Sequence, residues 1–390
     1  MFQHRLLIVA DDLTGAIDTG VQFSRAAVST LVTTTGESAN AGPTVLAVDI
    51  ESRHLTSAQS ADRVTRCVES ARQAGFQLFY KKTDSTLRGN VGAELAALLR
   101  AAGGQRVYFA PALPAAGRVT RGGIQLVHGV PVQRSAYSRD TADPVREASV
   151  GAIIRSQTDI PVISIPRGAD PGPILAERSG PSIVVFDAET DDDLAQIAGR
   201  LAALPPPLLL AGSAGFASVL PDALGLPKSP AAAASLPPPL LVVCGSRNAV
   251  SRSQVHEAEA QGISSWQAGP GAPAIDTAAV AARLNADGIA ILKTPGEHSP
   301  ESTRDVVRLA TAIWRGEGGT IAAFGGDTAF AVIEHLDVRG IEPLREICQG
   351  TVACRLAGAP GSGRGLITKA GGFGPLDVIQ RMREALGREE

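Results

Sequence analysis

The chain has 390 residues, 44% hydrophobic and 4% aromatic, and its 36 basic and 39 acidic residues give a formal net charge of −3. That length favours two domains, and a chain so evenly charged and so poor in aromatic residues lacks the basic surface and stacking platforms of nucleic-acid-binding proteins. Its four cysteines are scattered and lack the short spacing of a zinc site. No apolar stretch reaches the ~20 residues of a membrane span, and the N-terminus does not have the layout of a signal peptide. We therefore expect a soluble, cytoplasmic protein.

Short apolar strands alternate with helical patterns through both halves of the chain, which predicts an α/β fold with mainly parallel sheets. The first strand, at 6–10, is apolar throughout and ends at two adjacent carboxylates, Asp11 and Asp12. A later strand, at 45–48, leads into a polar segment that contains Arg53. Adjacent carboxylates repel each other unless a cation or hydroxyl lies nearby, and one of them could instead cap the following helix. Both interpretations can hold, because adjacent residues face different ways.

The most polar turn spans residues 81–90 and follows a strand at 76–80. It carries three cations, one carboxylate, three hydroxyls and a glycine, and it lies at the carboxyl end of a predicted strand, where open α/β sheets bind their ligands. A polyol with an anionic end needs this mixture, because its hydroxyls need donors and acceptors and its anion needs cations or backbone N–H groups. The alternative is a solvated loop in which Ser85, Thr86 and Asn90 cap a helix.

A segment rich in proline and alanine, residues 228–239, separates two α/β patterns and predicts a semi-rigid linker. We therefore expect one domain at 1–227 and a second at 240–390. Three aspartates at 191–193 begin a predicted helix. Because carboxylates are electrostatically favoured at a helix start, capping is preferred there to a metal site.

Glycine-rich turns mark the second half of the chain. They follow predicted strands at 245–246, 325–328 and 370–374. Glycine lets backbone N–H groups approach an anion and a helix start adds a positive end, so these turns suit phosphate groups. The usual nucleotide fingerprints, GxxxxGK[ST] and GxGxxG in a Rossmann setting, are absent from the sequence. The alternative is that these glycines serve tight turns only.

Six motifs, in order along nearly the whole chain, resemble those of the four-carbon acid sugar kinase family. They are ADDLTGA at 10–16, KKTDSTLRG at 81–89, GRxT at 117–120, GS at 245–246, GGDT at 325–328 and KAGGFG at 369–374. The resemblance implies two α/β domains with a cleft between them. It further implies that the N-terminal domain binds a tetronate-type sugar acid, that the C-terminal domain binds ATP, and that the terminal hydroxyl of the acid is phosphorylated in the cleft.

The resemblance also implies roles for single residues. The implied sugar-acid contacts are Asp11, Arg53, Lys82, Thr83, Asp84 and Ser85. The implied nucleotide contacts are Ser246, Gly325, Gly326, Asp327, Thr328 and Gly371. They lie in the loops already selected by their composition, and Arg88 adds a further cation suited to the carboxylate of the acid.

Phosphoryl transfer needs a route for the hydroxyl proton and neutralisation of the phosphate charge. Asp84 and Asp12 are the candidate catalytic bases, and we favour Asp84, although residue types alone do not choose between them. Mg²⁺ is expected with ATP, held mainly by phosphate oxygens and water, with Asp327 as a candidate ligand and no metal site made by the protein alone.

The sequence therefore predicts an ATP-dependent kinase that acts on the 4-hydroxyl of a four-carbon sugar acid, with D-threonate as the first substrate to expect. One alternative is a two-lobed sugar-acid binding or sensor module without catalysis, which ATP binding would argue against. Another is an NAD-dependent polyhydroxy-acid dehydrogenase, which the missing GxGxxG after the first strand argues against. The expected partners are the sugar acid and ATP, with neither nucleic acid nor membrane, and formation of a homo-oligomer is left open.

Overall fold

The computed structural model describes residues 5–34, 42–139, 143–177, 179–229, 235–269, 272–295, 300–358 and 363–387. The chain divides into two compact units, Met1–Ser229 and Pro230–Glu390. Within the predicted linker, residues 230–234 lie outside the described part of the chain.

The first unit is built on a parallel sheet. Its strands are β1 (Leu6–Ala10), β2 (Thr30–Thr33), β3 (Val45–Asp49), β4 (Leu78–Lys82), β5 (Arg106–Ala110), β6 (Arg118–Arg121), β7 (Ile124–Val127), β8 (Val130–Pro131), β9 (Val162–Ile165), β10 (Ser182–Phe186) and β11 (Leu208–Gly212). Its helices are α1 (Leu13–Arg25), α2 (Ser57–Gln73), α3 (Val91–Ala102), α4 (Val150–Arg155), α5 (Pro171–Ala176), α6 (Asp191–Leu201) and α7 (Ala214–Ala223). The sheet runs in the order β2-β3-β1-β4-β11-β5-β10-β9 with every pairing parallel, and β6, β7 and β8 form a small antiparallel sheet.

Helices cover both faces of this sheet, and the central strands β1, β3 and β4 are buried over their whole length. The uninterrupted apolar run of β1 predicts this burial, whereas β4 also buries the two lysines at its end. Phe79 of β4 belongs to one core cluster with Val64 of α2 and Leu95 of α3. Tyr80 points the other way, since successive strand residues face opposite sides, and its ring lies 6.3 Å from that of Phe216 in α7.

β1 lies between β3 and β4, so that Ala10 has Asp49 opposite it on one side and Lys82 on the other. The chain builds β2 and β3 on one side of β1 before it crosses to β4 on the other side. This change of direction makes the carboxyl edge a topological switch point, where open α/β sheets bind ligands. The loops that follow these three strands lie side by side.

The second unit contains β12 (Leu240–Cys244), β13 (Ser265–Gln267), β14 (Ile289–Lys293), β15 (Thr320–Phe324), β16 (Gly340–Cys348), β17 (Thr351–Ala357) and β18 (Gly365–Lys369). Its helices are α8 (Ala249–Ala260), α9 (Thr277–Asp287), α10 (Pro300–Glu317), α11 (Gly326–Leu336) and α12 (Val378–Glu384). In this unit the strand order is β13-β14-β12-β15-β18-β17-β16, parallel as far as β18 and antiparallel beyond it. The prediction of an α/β fold with mainly parallel sheets is confirmed.

A second switch point lies in this unit at β12, which separates β14 from β15. Phe324, the last residue of β15, is opposite Cys244 of β12 and Lys369 of β18. The three glycine-rich turns follow these three strands, so they emerge next to one another at one edge of the sheet.

Two smaller features complete the fold. At the start of α6, Thr190 and Asp193 form a capping box, which agrees with the capping interpretation of the aspartates at 191–193. Among the helices of the described ranges, none is long and apolar enough to cross a membrane.

Candidate functional site

At the carboxyl edge of the first unit, Arg53 joins the two aspartates that end β1. Its Nε donates to Asp11 Oδ2 at 2.7 Å, and its Nη1 donates to Asp12 Oδ2 at 2.6 Å. The backbone N–H of Ser52 donates to the Asp11 carbonyl at 3.0 Å, which fixes the loop that carries Arg53. The guanidinium relieves the repulsion between the neighbouring carboxylates.

Asp12 is also the N-cap of α1. Its Oδ1 accepts from the backbone N–H of Gly15 at 2.8 Å, and its Oδ2 accepts from the Thr14 hydroxyl at 3.0 Å. The side chain of Asp12 is 19% exposed, against 4% for Asp11. Asp12 therefore caps α1 and also lies at the candidate site.

Asp84 holds its own loop together. Its carboxylate accepts from Arg88 through Nε at 3.0 Å and Nη2 at 2.9 Å, and also from the Thr86 hydroxyl and the Thr86 N–H. Burial would raise the pKa of Asp84, but the positive charges of Arg88 and Arg53 and these hydrogen bonds outweigh burial and hold the pKa well below its usual range. The Arg88 guanidinium is committed to Asp84 and lies 5.5 Å from the centre of the Tyr137 ring.

The adjacent lysines at the end of β4 point to opposite faces of the sheet. Lys81 Nζ lies 2.9 Å from Glu94 of α3 in a buried ion pair. Lys82 faces α1, where a Cβ atom built on Gly15 would lie 3.0 Å from its Nζ. Lys82 is buried, and no carboxylate among the described residues forms an ion pair with it. Its ammonium is therefore the cation of this edge that remains available to an anion.

Three buried oxygens of this edge have no hydrogen-bond partner within the described part of the chain: Asp11 Oδ1, Asp49 Oδ2 and Thr83 Oγ1. Leaving such an atom unpaired costs about 1–3 kcal/mol, so a ligand that supplied hydrogen bonds there would be stabilised. The backbone of Thr83 is fixed, since its N–H donates to the Gly212 carbonyl at 2.8 Å. The loop is also fixed at Ser85, because Gln125 Nε2 donates to the Ser85 carbonyl at 2.7 Å.

Asp11 gives a testable pH dependence. Burial by itself would raise the pKa of Asp11, but the charges of Arg53, Lys81 and Lys82 outweigh burial and lower the pKa to about 2. This value lies below the ~3.9 of an unfolded aspartate, so the ionised carboxylate stabilises the folded state by roughly 2 kcal/mol at neutral pH. That contribution is lost as the pH falls from about 5 towards 2.

We therefore expect Asp11→Asn to flatten the acid limb of the stability curve. The measurement is the midpoint of urea unfolding of both proteins between about pH 2 and 7. Parallel curves for the two proteins over this range would contradict the assignment of the acid limb to Asp11.

In the second unit, the three glycine-rich turns meet around Ser246. Gly325 is the N-cap of α11 at φ 98° and ψ 150°, a conformation almost confined to glycine, and it provides no side chain to cap the helix. A Cβ atom built on Gly325 would lie 3.3 Å from Ser246 Cβ, and one built on Gly371 would lie 3.5 Å from Ser246 Oγ. The uncapped start of α11 and the close backbone approach suit a phosphate group.

The remaining predicted nucleotide contacts lie at the start of α11. Gly326, Asp327 and Thr328 form the first turn of α11, where Asp327 is exposed and Thr328 is buried. Thr328 Oγ1 would lie 2.6 Å from a Cβ atom built on Gly245, so only glycine fits there. Among the described residues, no group of three or more His, Cys, Asp or Glu side chains is arranged to hold a metal ion.

Sequence reasoning missed two side chains beneath the turn that follows β18. Lys369 is buried and donates to Ser251 Oγ at 3.0 Å and to the Gly371 carbonyl at 3.0 Å, and burial lowers its pKa to about 8. Gln254 Nε2 donates to the carbonyls of Phe373 and Gly374 at 3.1 and 2.9 Å. The signal for Lys369 was present in the sequence, since a lysine ends an apolar strand and only Ala370 separates it from a double glycine.

A cavity of about 560 Å³ adjoins the turn after β12. This volume lies within the usual range for small-molecule sites. Its walls include Ser246, Arg252, His256, Lys293 and Leu376. Leu376 is a large apolar side chain that is 53% exposed, so the cavity offers an apolar surface next to the candidate phosphate turns.

Comparison with known proteins identifies the family. Residues 6–220 match a family model described as the sugar-binding N-terminal domain, and residues 241–379 match one described as the nucleotide-binding C-terminal domain. A D-threonate kinase from Bordetella bronchiseptica is 33% identical in an alignment that covers 97% of this chain and 96% of that protein. The chain belongs to the four-carbon acid sugar kinase family. The resemblance found in the sequence motifs is confirmed.

Other members of the four-carbon acid sugar kinase family carry different substrate names. A D-erythronate kinase from Heliobacterium modesticaldum is 27% identical over 96% of this chain and 95% of its own length. Because these family members are kinases, neither the non-catalytic sensor nor the NAD-dependent dehydrogenase is favoured.

Solved structures agree on the fold. A Haemophilus influenzae protein matches with a TM-score of 0.75 at 19% identity, over 97% of this chain and 99% of that one. A Bordetella bronchiseptica protein matches at 30% identity with a TM-score of 0.51, over 97% of this chain and 98% of that one. The second structure is described as a domain-swapped dimer with bound citrate.

Proposed function

We propose that this protein is an ATP-dependent kinase that transfers a phosphoryl group to the 4-hydroxyl of a four-carbon sugar acid, with D-threonate as the expected substrate. The observation that carries the proposal is the edge of the first unit, where, among the described residues, the buried Lys82 has no ion-pair partner and buried oxygens of Asp11 and Thr83 have no hydrogen-bond partner. A cation beside hydrogen-bond acceptors suits a small polyol with a carboxylate. The names of the family members support the same chemistry.

We assign the sugar acid to the first unit. Lys82 would pair with its carboxylate, while Asp11, Thr83 and Ser85 would bind its hydroxyls. Arg53 is held by Asp11 and Asp12, so it contributes a fixed positive charge at this edge. Arg88 contributes through Asp84, whose loop it orders. The citrate described for a related structure supports binding of carboxylates in this family.

We assign the nucleotide to the second unit. Gly325, Ser246, Gly371 and the first turn of α11 fit a phosphate chain, because the backbone of Gly325 approaches Ser246 so closely that a Cβ atom built there would lie 3.3 Å from Ser246 Cβ. The cavity of about 560 Å³ beside Ser246 is the proposed nucleoside site. Bound ATP would supply the phosphoryl group, and a Mg²⁺ ion bound with it would neutralise the charge of the phosphates. The exposed Asp327 is the proposed protein contact of that ion.

For the catalytic base, the hydrogen bonds favour Asp12. Both oxygens of each carboxylate accept hydrogen bonds, but Asp84 accepts three from Arg88 and two from Thr86, whereas Asp12 accepts one each from Arg53, Thr14 and Gly15. Asp12 has the more exposed carboxylate, and Arg53 and the start of α1 hold it in place. We therefore propose that Asp12 accepts the hydroxyl proton and that Asp84 orders the substrate loop. A homo-oligomer is proposed from the dimer described for the related structure.

ATP turnover against a panel of four-carbon sugar acids tests the function, with Lys82→Met measured alongside. We expect D-threonate to give the highest kcat/KM in the wild type. Lys82→Met should raise the sugar-acid KM by about tenfold or more, because it removes a charge-assisted contact. Lys228→Met is the matched control, since Lys228 is exposed and paired with Asp222. Absence of ADP release with every acid of the panel would refute the proposal.

A further inference from the structure

A buried network of charged and polar side chains lies beneath the sugar-acid edge and has no part in the proposed contacts. Its centre is Glu94 of α3, which is 2% exposed. Glu94 Oε2 lies 2.9 Å from Lys81 Nζ, and Glu94 Oε1 accepts from the hydroxyls of Ser52 and Ser60 at 2.5 and 2.7 Å. Lys81, Ser52 and Ser60 are completely buried. The charged and polar groups of these four side chains therefore have their ion-pair or hydrogen-bond partners inside the protein.

The network holds the residue that precedes each of two cations of this edge, Arg53 with its fixed charge and Lys82, the proposed contact of the carboxylate. Ser52 comes directly before Arg53, and Lys81 comes directly before Lys82. Lys81 Nζ also donates to the Lys82 carbonyl at 2.7 Å. One carboxylate thus anchors the loop after β3 and the last residues of β4.

We infer that Glu94 is a positioning residue that sets the separation of Arg53 and Lys82 and thereby the fit of the sugar acid between them. This inference rests on the proposed function, because it assumes that the two cations serve an anionic substrate. Glu94 itself lies beneath the loops and does not touch the substrate. Small shifts of Ser52 or Lys81 would be passed directly to the neighbouring cation through one peptide bond.

The two serines provide a matched pair of variants. Both hydroxyls donate to the same oxygen of Glu94 and both side chains are buried, but Ser52 adjoins Arg53 whereas Ser60 lies in α2. Ser52→Ala should raise the sugar-acid KM by about fivefold or more, since a hydrogen bond to a charged group is lost next to a binding residue. Ser60→Ala should raise it by less than about twofold, while both variants lose similar thermal stability.

The ATP KM should stay unchanged in both variants. Equal sugar-acid KM values in the two serine variants would overturn the inference, because a purely structural network treats its two donors alike. Absence of turnover in the wild type would instead refute the proposed function, so the two failures are distinguishable.

A second experiment removes the charges without leaving one of them unpaired. Glu94→Gln alone leaves the Lys81 ammonium buried without a carboxylate and risks unfolding. The double variant Lys81→Met/Glu94→Leu replaces the ion pair by apolar side chains, which often preserves stability. We expect its thermal midpoint to stay near that of the wild type while its sugar-acid KM remains raised by about fivefold or more. A stable double variant with a wild-type sugar-acid KM would overturn the inference.

Discussion

Asp12→Asn is expected to lower kcat by about 10²–10⁴-fold, the usual scale for the loss of a general base. The proposed base accepts the proton of the substrate hydroxyl, and an amide does not accept it. Asparagine is as good an N-cap as aspartate, so the start of α1, where Asp12 accepts from Gly15, should survive the substitution. The ATP KM should change little, and the sugar-acid KM should change much less than kcat.

Asp84→Asn is the matched control, because it makes the same chemical change in the neighbouring loop. Asp84 is bound by Arg88 and Thr86, so we expect Asp84→Asn to loosen the loop. The result should be a higher sugar-acid KM and lower thermal stability, with a smaller fall in kcat than in Asp12→Asn. Steady-state kinetics with both substrates varied measures these differences. Near-normal turnover in Asp12→Asn together with a large loss of kcat in Asp84→Asn would restore Asp84 as the base.

Gly325→Ala is expected to raise the ATP KM by about tenfold or more with little effect on sugar-acid binding. Gly325 has φ 98° and ψ 150°, a region that costs other residues about 1–3 kcal/mol of strain. The added methyl group would also lie 3.3 Å from Ser246 Cβ, so Ser246 would have to shift by a few tenths of an ångström. Both effects displace the backbone N–H groups proposed to bind phosphate.

Gly262→Ala controls for the strain alone. Gly262 also has a positive φ, 87°, and a Cβ atom there would meet nothing within 4 Å. It follows α8, away from the three glycine turns. We expect this variant to lose stability without any change in the ATP KM, as measured by thermal unfolding and by ATP-dependent kinetics. A similar rise of the ATP KM in both variants would mean that Gly325 is a structural turn and not a phosphate site.

The sequence by itself determined the fold class and selected the loops of the candidate site. Uninterrupted apolar runs such as 6–10 and 240–244 predict strands buried on both faces, and the polar or glycine-rich segments after them mark the carboxyl edge of each sheet. These features are local, so they can be read from a few neighbouring residues. The motif order along the chain also determined the family.

Only the tertiary structure decided how the charges of those loops are used. Strand alternation requires Lys81 and Lys82 to face opposite sides, but the packing of α3 on one side determines that Lys81 pairs with Glu94 and that Lys82 remains available. The same holds for the aspartates. Asp84 and Asp12 are equivalent as residue types, and they differ because Arg88 folds back onto Asp84 whereas Arg53 reaches Asp12 from a separate loop. Such partners are distant in the sequence or depend on loop conformation, so no local pattern of residues specifies them.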